Sequence, residues 1–483
     1  MQLENSSSRG GSTIVLELPP KSYSNTVSEG TRLALEDTTA AALPPPATST
    51  PQLQKWNSPR INIYRCFATF YSFVILGAND AAYGALIPYL ETWYKVNYTI
   101  ISLVFLSPVV GYVLSAILNN HLHTVYGQRG IAVIMSLSHL LAYTAICLHP
   151  PYAVLVVVFI LAGFGNGLGD SAWNAWIGDM ANANEVLGFL HGFYGLGATI
   201  SPLVATTLVT KAGWHWYEFY YILVGAAALE VVVLVGTFWK ADARAYNEAN
   251  PRTTQIETSE GRDGQQAKKA RGIMSKMNPF SKVSRGKSKT AEAVGNKVTL
   301  LASFFLLIYV GAEVSIGGWI VTFMLRVRHG SAFASGLIST GFWLGVTVGR
   351  LVLGFVTARV FRSEKQAVAA YLACSVALQL MFWLIPNFVV SAVMVGFLGF
   401  FLGPMFPAAV VVLTKLLPKK LHVAAVGFAA AFGSSGACIL PFAVGAIASA
   451  KGVKVLQPIV LAALVGCFLV WLMIPKLPKQ RMA

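Results

Sequence analysis

One short pattern of glycine, phenylalanine, alanine and proline occurs twice in this chain, 239 positions apart and without a gap. Its six positions are Gly188, Phe189, Phe193, Gly197, Ala198 and Pro202 in the first copy and Gly427, Phe428, Phe432, Gly436, Ala437 and Pro441 in the second. Both copies lie inside long apolar runs. The chain is therefore expected to be a duplicated membrane bundle.

Other glycines support the duplication in the same order along the chain. The matching sets are Gly77-Ala78 with Gly311-Ala312, Gly84 with Gly318, and Gly111 with Gly345. Chance could explain any one of these sets, but it explains three ordered sets poorly. Glycines at such spacings allow helix backbones to approach closely in lipid.

The composition requires that much of the chain face lipid, with 55% hydrophobic residues, 12% charged residues and a mean hydropathy of +0.60. A crossing needs ~20 apolar residues. The sequence predicts twelve spans, at about 63–90, 99–119, 130–149, 152–178, 186–209, 217–239, 298–325, 333–358, 367–386, 388–414, 421–449 and 455–474.

The spans fall into two groups of six, which predicts an all-α membrane protein made of two pseudo-symmetric six-helix bundles, at 61–239 and 298–475. Residues 1–60 are rich in Ser, Thr, Pro and Gly and predict a disordered tail. Residues 240–297 are polar and basic and predict a linker, and 476–483 a short terminal tail.

Basic residues predict the orientation, because cytoplasmic segments retain Lys and Arg during insertion. With both termini in the cytoplasm, all but six of the 36 Lys and Arg residues lie on the cytoplasmic side. The net charge of +16 then reflects topology and attraction to anionic lipid, and no nucleic-acid partner is expected. We expect a multi-pass protein of the cell membrane that acts as a monomer.

Four acidic residues lie at membrane depth, namely Asp80, Asp170, Glu230 and Glu313. A carboxylate there costs on the order of 2.5 to 3.5 kcal/mol on insertion scales, so such residues usually have a function. Burial disfavours the charged form, and Asp80 and Asp170 are expected to bind solute and exchange a proton. Glu230, among valines and without a polar companion face, is expected to pack.

Polar and aromatic residues share faces with these acids, which suits a ligand whose hydroxyl groups need hydrogen bonds and whose apolar face stacks on rings. The candidate solute-binding residues are Asn79, Tyr83, Asn166, Trp173, Asn174, His191, Tyr194, Glu313 and Trp319. For each acid the alternative is a structural bond to a neighbouring helix. Arg350 is expected to anchor its span on the cytoplasmic side.

The sequence has no catalytic, nucleotide-binding or metal-binding motif at a position where such a motif would be functional. Gly163, Gly165, Gly167 and Gly169 lie in an apolar helix rather than after a strand, so they indicate helix packing. We expect no enzyme activity, no cofactor and no metal. Asn97 begins a glycosylation sequon on a predicted outer loop.

Three strings in the first half resemble the major facilitator superfamily and, within it, the fucose:proton symporter-like branch with its fungal members. They are Gly77-Ala78-Asn79-Asp80, Gly169-Asp170-Ser171-Ala172-Trp173-Asn174 and Leu190-His191-Gly192-Phe193-Tyr194-Gly195-Leu196-Gly197-Ala198. The resemblance covers roughly residues 61 to 475. It implies that Asp80 and Asp170 correspond to the acids linked to sugar binding and proton coupling in fucose permease.

Two departures limit what the resemblance implies. His191 stands where the permease has glutamine, so its sugar preference does not transfer. The turn at 123–129 keeps the Gly and Arg of the superfamily signature as Gly127 and Arg129 but lacks its Asp, although Gly349-Arg350 and Gly354 retain part of the second-half version.

Together these features predict a secondary active transporter that moves a small, sugar-like organic solute by proton-coupled alternating access. Export of an amphiphilic metabolite by proton antiport is an alternative, and a membrane receptor that binds solute without moving it is another.

Overall fold

The computed structural model describes residues 54–181, 183–249, 289–418 and 421–475, and within them the regular structure is almost entirely helical. The helices are α1 (Ile61–Tyr94), α2 (Tyr98–Ile101), α3 (Leu103–Cys147), α4 (Tyr152–Gly178), α5 (Ala183–Lys211), α6 (Phe219–Phe238), α7 (Ala243–Ala249), α8 (Lys289–Val294), α9 (Lys297–Arg326), α10 (Ala332–Val360), α11 (Glu364–Leu384), α12 (Phe388–Leu402), α13 (Met405–Leu416), α14 (His422–Lys451) and α15 (Leu456–Met473).

Eleven helical segments in the described ranges are long and apolar enough to cross a membrane. One of them, Tyr98–Cys147, has 50 residues. At 1.5 Å per residue it would be about 75 Å long, more than twice the ~30 Å hydrocarbon core. Gly127, with φ 69° and ψ −170°, divides α3 into two parts. This segment therefore holds two crossings, and the predicted twelve spans are confirmed.

The duplicated glycines hold equivalent helix pairs together in the two halves. In the first half, a Cβ added at Gly197 of α5 would lie 2.0 Å from the carbonyl oxygen of Val74 in α1. In the second half, a Cβ at Gly436 of α14 would lie 1.9 Å from the carbonyl oxygen of Leu307 in α9. Both pairs therefore pack backbone against backbone, which only glycine permits.

The alternating glycines of α4 serve helix packing, as predicted. Gly163 faces Pro108 in the first part of α3, whereas Gly165 faces His139 in the second part. Helix α4 therefore lies against both parts of α3.

The two halves contact each other near one end of the bundle, where α1, α5, α9 and α14 finish. Glu91 of α1 forms an ion pair with Arg326 of α9 at 3.6 Å, and Lys211 of α5 lies over the ring of Phe333 in the first turn of α10. Further contacts between the halves join Thr206 with Gly336, Phe105 with Trp319, and Ser102 with Gly445. We call this end the sealed end.

Towards the opposite end, helices α5 and α10 diverge. Their last polar contact is between the hydroxyls of Thr199 and Thr347, 3.5 Å apart. Beyond it, among the residues that the structure describes, no atom lies within 4 Å of a Cβ added at Gly188, Gly192 or Gly354. A gap between the halves therefore opens at this end, which we call the open end.

The chain that leaves α6 is bound to the turn in α3. The amide of Arg129 donates to the carbonyl of Ala241 at 2.9 Å, and the Asn247 side chain donates to the carbonyl of Thr124 at 3.0 Å. Residues 250–288 of the predicted linker, 1–53 of the predicted tail and 476–483 lie outside the described residues. The assignments of these three segments stay predictions.

Replacement of Gly127 by alanine tests this turn. Its backbone conformation is nearly exclusive to glycine, and an added Cβ would lie 2.2 Å from the carbonyl carbon of Asp242. We expect Gly127→Ala to lower the free energy of unfolding by about 1–3 kcal/mol, measured as a lower melting temperature in detergent.

Gly236→Ala is the matched control, because Gly236 lies within α6 and a Cβ added there meets no atom of the described residues within 4 Å. It should leave the melting temperature unchanged or raise it slightly, since alanine favours a helix over glycine by about 1 kcal/mol. Equal melting temperatures for both variants would contradict the assigned turn.

Candidate functional site

Asp80 of α1 is a hydrogen-bond acceptor for three side chains from three helices. Asn166 of α4 donates to its Oδ1 at 3.0 Å, and Tyr194 of α5 donates its hydroxyl to Oδ2 at 3.1 Å. Asn79, its neighbour on α1, donates to Oδ1 at 3.3 Å. The acid is therefore held at the junction of α1, α4 and α5.

A close contact between α1 and α5 places Tyr194 at this junction. A Cβ added at Gly77 would lie 2.0 Å from the carbonyl oxygen of Tyr194, so the two backbones touch one turn before Asp80. At this separation the Tyr194 hydroxyl reaches the Asp80 carboxylate.

Tyr83 extends the polar cluster along α1. The Asn79 amide donates to the Tyr83 hydroxyl at 2.6 Å, and the Tyr83 ring packs edge-on against Phe159 of α4. Since the hydroxyl oxygen accepts from Asn79, its own proton is available to another acceptor.

Asp170 forms a second cluster one helical turn from Asn166 on α4. The side-chain nitrogen of Asn174 donates to the Asp170 carboxylate at 2.8 Å. The side-chain oxygen Oδ1 of Asn174 lies 3.0 Å from Nε2 of His191 on α5. Because an amide oxygen only accepts, Nε2 of His191 carries the proton in this contact. Both clusters share α4 and α5 and form one polar wall.

This wall faces the second half of the chain. Asp80 and Asp170 are partly exposed, whereas Asn79 and Asn166 are buried behind them. Cys438 of α14, in the second half, lies near Asp80. The carboxylates therefore border the gap between the halves.

Tyr112 of α3 is a neighbour of this wall that the sequence analysis missed. It lies near Asp80, Asp170, Tyr194 and Cys438. Its signal in the sequence was weak, because a single tyrosine in an apolar span is common in helix packing.

The opposite wall carries an ion pair. Arg350 of α10 donates to Glu313 of α9 at 3.1 Å and to the carbonyl of Gly403 at 3.2 Å. Arg350 lies one turn beyond Thr347 and interacts electrostatically with His191 across the gap. The guanidinium therefore binds an internal acid, which the sequence did not predict, and the expected role of Arg350 as an anchor on the cytoplasmic side stays a prediction.

Two predicted binding residues lie in helix packing instead of the cluster around Asp80. Trp173 is fully buried and stacks on Phe238 of α6, with ring centroids 4.7 Å apart. Trp319 is fully buried too, and its indole donates to the carbonyl of Pro441 at 2.9 Å. Trp173 belongs to the contact between α4 and α6, and Trp319 belongs to the sealed end.

Glu230 has polar partners that the sequence analysis did not predict. Ser72 of α1 and His139 of α3 both bind its carboxylate. Both partners come from other helices, which is why the sequence pattern of α6 showed no polar companion face for Glu230.

Asn97 is exposed and caps α2, because its side chain accepts from the amide of Ile100 at 2.9 Å. Its glycosylation stays a prediction. In the described part of the chain, no group of three or more His, Cys, Asp and Glu side chains is arranged to hold a metal ion.

The chemistry of the two walls is complementary. The first wall offers carboxylate acceptors together with hydroxyl, amide and imidazole groups, and the second offers a guanidinium paired with a carboxylate. Such an arrangement binds polar groups by several directed hydrogen bonds and can hold protons on its acids.

Replacing Glu313 by glutamine tests the ion pair. The change leaves the Arg350 guanidinium without its counter-charge in the interior, and we expect it to lower the free energy of unfolding by about 1–3 kcal/mol. Glu248→Gln is the control, because its pair with Arg244 is exposed and should contribute less than about 0.5 kcal/mol.

Thermal melting of the purified variants measures both effects. The double variant Glu313→Gln/Arg350→Gln should regain part of the lost stability, because it leaves no lone buried charge. A Glu313→Gln protein as stable as the control would show that the pair contributes nothing.

Comparison with known proteins agrees with this architecture. The profile of the Major Facilitator Superfamily matches residues 69–441, and a second match covers 301–482. The crystal structure of a D-xylose-proton symporter has the same fold, with a TM-score of 0.66 at 12% identity over 87% of this chain and 98% of that chain.

Two relatives cover most of the chain. Bypass of stop codon protein 6 of Saccharomyces cerevisiae is 31% identical over 85% of this chain and 82% of its own length. The glucose/mannose transporter GlcP of Bacillus subtilis is 22% identical over 77% of this chain and 85% of its own. Because the superfamily profile matches most of the sequence, this chain belongs to the Major Facilitator Superfamily and is a membrane transporter rather than an enzyme.

Proposed function

We propose that this protein carries a small, sugar-like solute across the membrane together with a proton, as a member of the fucose:proton symporter-like branch. The observation that carries the proposal is the position of Asp80. This acid is held by three helices, remains partly exposed, and borders a gap that is closed at one end and open at the other.

Hydroxylated solutes suit the groups around Asp80. A sugar hydroxyl can donate to the carboxylate of Asp80 or Asp170 and accept from the amides or the tyrosine hydroxyls. Asn79, Tyr83, Asn166, Asn174, His191 and Tyr194 supply these groups on the first wall. Trp173 and Trp319 have no part in the proposed site, because both are fully buried in helix packing.

Relatives point towards the same solute class. One relative is a glucose/mannose transporter, and a protein of the same fold is a D-xylose-proton symporter. These names support sugars as the first solutes to test on this chain.

Asp80 and Asp170 are the proposed proton carriers. A membrane potential of 100 mV contributes about 2.3 kcal/mol for each proton that enters. At about 1.4 kcal/mol per tenfold, entry of one proton with each neutral solute would support roughly 50-fold accumulation.

The orientation follows from the distribution of Lys and Arg, which favours cytoplasmic termini. The open end then faces the cytoplasm and the sealed end faces outwards, at the cell membrane. Glu313 and Arg350 would line the cavity on the side opposite Asp80. Alternating access requires the contacts at the sealed end to break when the open end closes.

Replacing Asp170 by asparagine tests proton coupling. Solute accumulation is measured in proteoliposomes with an imposed pH gradient and radiolabelled D-glucose, D-mannose or D-xylose. Solute exchange without a gradient is measured separately, because it reports solute binding and movement alone. We expect Asp170→Asn to abolish accumulation above equilibrium while it retains exchange, because the amide cannot carry the proton.

Asp179→Asn is the matched control, since Asp179 is an exposed acid at the end of the same helix, and it should accumulate solute like the wild type. Unchanged accumulation in Asp170→Asn would refute the proton assignment. Proton movement opposite to solute would favour antiport, and binding without flux would favour the receptor.

A disulfide across the sealed end tests alternating access. Thr206 of α5 and Gly336 of α10 are adjacent, because an added Cβ at Gly336 would lie 2.7 Å from the Thr206 Cβ. A disulfide needs about 3.5–4.5 Å between the two Cβ atoms, so the helices have to separate by about 1 Å for the bond to form. We expect oxidised Thr206→Cys/Gly336→Cys protein to lose flux and to recover it on reduction. Each single cysteine variant is the control, and full flux in the cross-linked protein would contradict the mechanism.

A further inference from the structure

A fully buried histidine–glutamate pair lies behind the polar wall, between α3 and α6. Nδ1 of His139 is 2.9 Å from Oε2 of Glu230, and both side chains have no exposed surface. The Ser72 hydroxyl of α1 donates to the other Glu230 oxygen at 2.6 Å. Three helices therefore converge on one carboxylate.

Packing alone is a weak reason for this pair. Glu230 is followed by Val231, Val232 and Val233 in an apolar helix. Buried ion pairs are often no more stabilising than apolar residues of similar volume, and ionisable groups at membrane depth usually mark ion or proton pathways. The pair therefore indicates a role other than stabilising the fold.

His139 is directed towards the helix that holds Asp80 in place. Its Nδ1 binds Glu230, whereas its Nε2 is buried and has no hydrogen-bond partner among the described residues. A Cβ added at Gly165 of α4 would lie 2.8 Å from this nitrogen. The next residue, Asn166, donates to Asp80, so one residue of α4 separates the His139 contact from the Asp80 contact, and a charge on His139 would lie near enough to act on Asp80.

The other titratable groups around the pair are phenols. Tyr143 of α3 stacks on the His139 ring with centroids 5.6 Å apart, and Tyr220 of α6 lies beside Tyr143. Tyr71 of α1 donates to the carbonyl of Ala226 and lies near Glu230. Phenols stay neutral near pH 7, and α4 contributes a glycine at this contact, so the charges that face His139 are those of Glu230 and Asp80.

We propose that His139 and Glu230 form a second, buried proton-binding site whose occupancy is coupled by charge to that of Asp80. In one state Asp80 holds the proton and His139 is neutral. In the other, the Asp80 O–H bond is broken, an N–H bond forms at Nε2 of His139, and the imidazolium lies between two carboxylates. The three groups carry a total charge of −1 in both states.

This inference rests on the proposed proton coupling and adds a residue pair to it. Solute that binds ionised Asp80 favours the state with the proton on His139. Solute release favours the return of the proton to Asp80. The pair would thus retain the proton while the Asp80 carboxylate binds solute.

The test is a pH titration of the purified protein by infrared difference spectroscopy, with protons as the probe and no solute present. The carboxylic acid band that disappears in Asp80→Asn reports the protonation of Asp80. Glu230→Gln removes an anion, which by itself would lower the midpoint, but His139 also loses the partner that favours its charged form. Because His139 lies between Glu230 and Asp80, the loss of the nearer cation outweighs the loss of the farther anion. We expect the midpoint of the Asp80 band to move to higher pH by about one unit.

His139→Gln should move the midpoint in the same direction, since it removes the cation itself. If a single variant fails to fold, the double variant His139→Gln/Glu230→Gln leaves no lone buried charge and gives the same readout. Tyr143→Phe is the control, because it keeps the stacked ring and adds no charge, and its midpoint should match the wild type.

An unchanged midpoint in these variants would overturn the inference even if the wild type accumulates sugar with protons. A shifted midpoint in a protein that moves no sugar would support the buried site and refute the proposed solute. Because the titration needs no solute, the two failures are distinguishable.

Discussion

Direct backbone contact between α1 and α5 is the constraint on which the first wall depends. Lipid provides no hydrophobic drive for helices to associate, so close packing has to hold them together. Gly77 and Gly197 remove the side chains that would separate these helices. As a result the Tyr194 backbone touches α1 and its hydroxyl reaches Asp80. A larger residue at Gly77 would disturb the fold and the site together.

Three of the four acids at membrane depth are compensated in different ways. Asp80 is surrounded by donors without a counter-ion in hydrogen-bond contact, Glu313 is neutralised by Arg350, and Glu230 is paired with a histidine. An arginine is always charged, whereas a histidine changes charge near neutral pH. The Glu313 pair therefore suits a permanent charge balance, and the other two acids suit proton binding.

The sequence predicted features that depend on local pattern, namely the repeat, the twelve spans, the packing glycines and the acid-bearing faces of α1 and α4. It could not predict pairs made between distant helices. Arg350 with Glu313 and His139 with Glu230 each join residues whose proximity depends on helix rotation and tilt. The same reason applies to Trp173, which lies three residues from Asp170 yet turns towards α6.

The contact of Thr199 and Thr347 lies between the sealed end and the diverging part of α5 and α10. If the halves tilt about this contact, it acts as a fulcrum, and displacement grows with distance along the helices. Lys211 lies twelve residues beyond Thr199, about 18 Å away along α5. Each ångström of closure at Gly188 would thus be matched by comparable opening near Lys211. The small side chains of Thr199 and Thr347 allow this rotation with little repacking. Tilting of whole helices, rather than local flexibility, would then govern the movement.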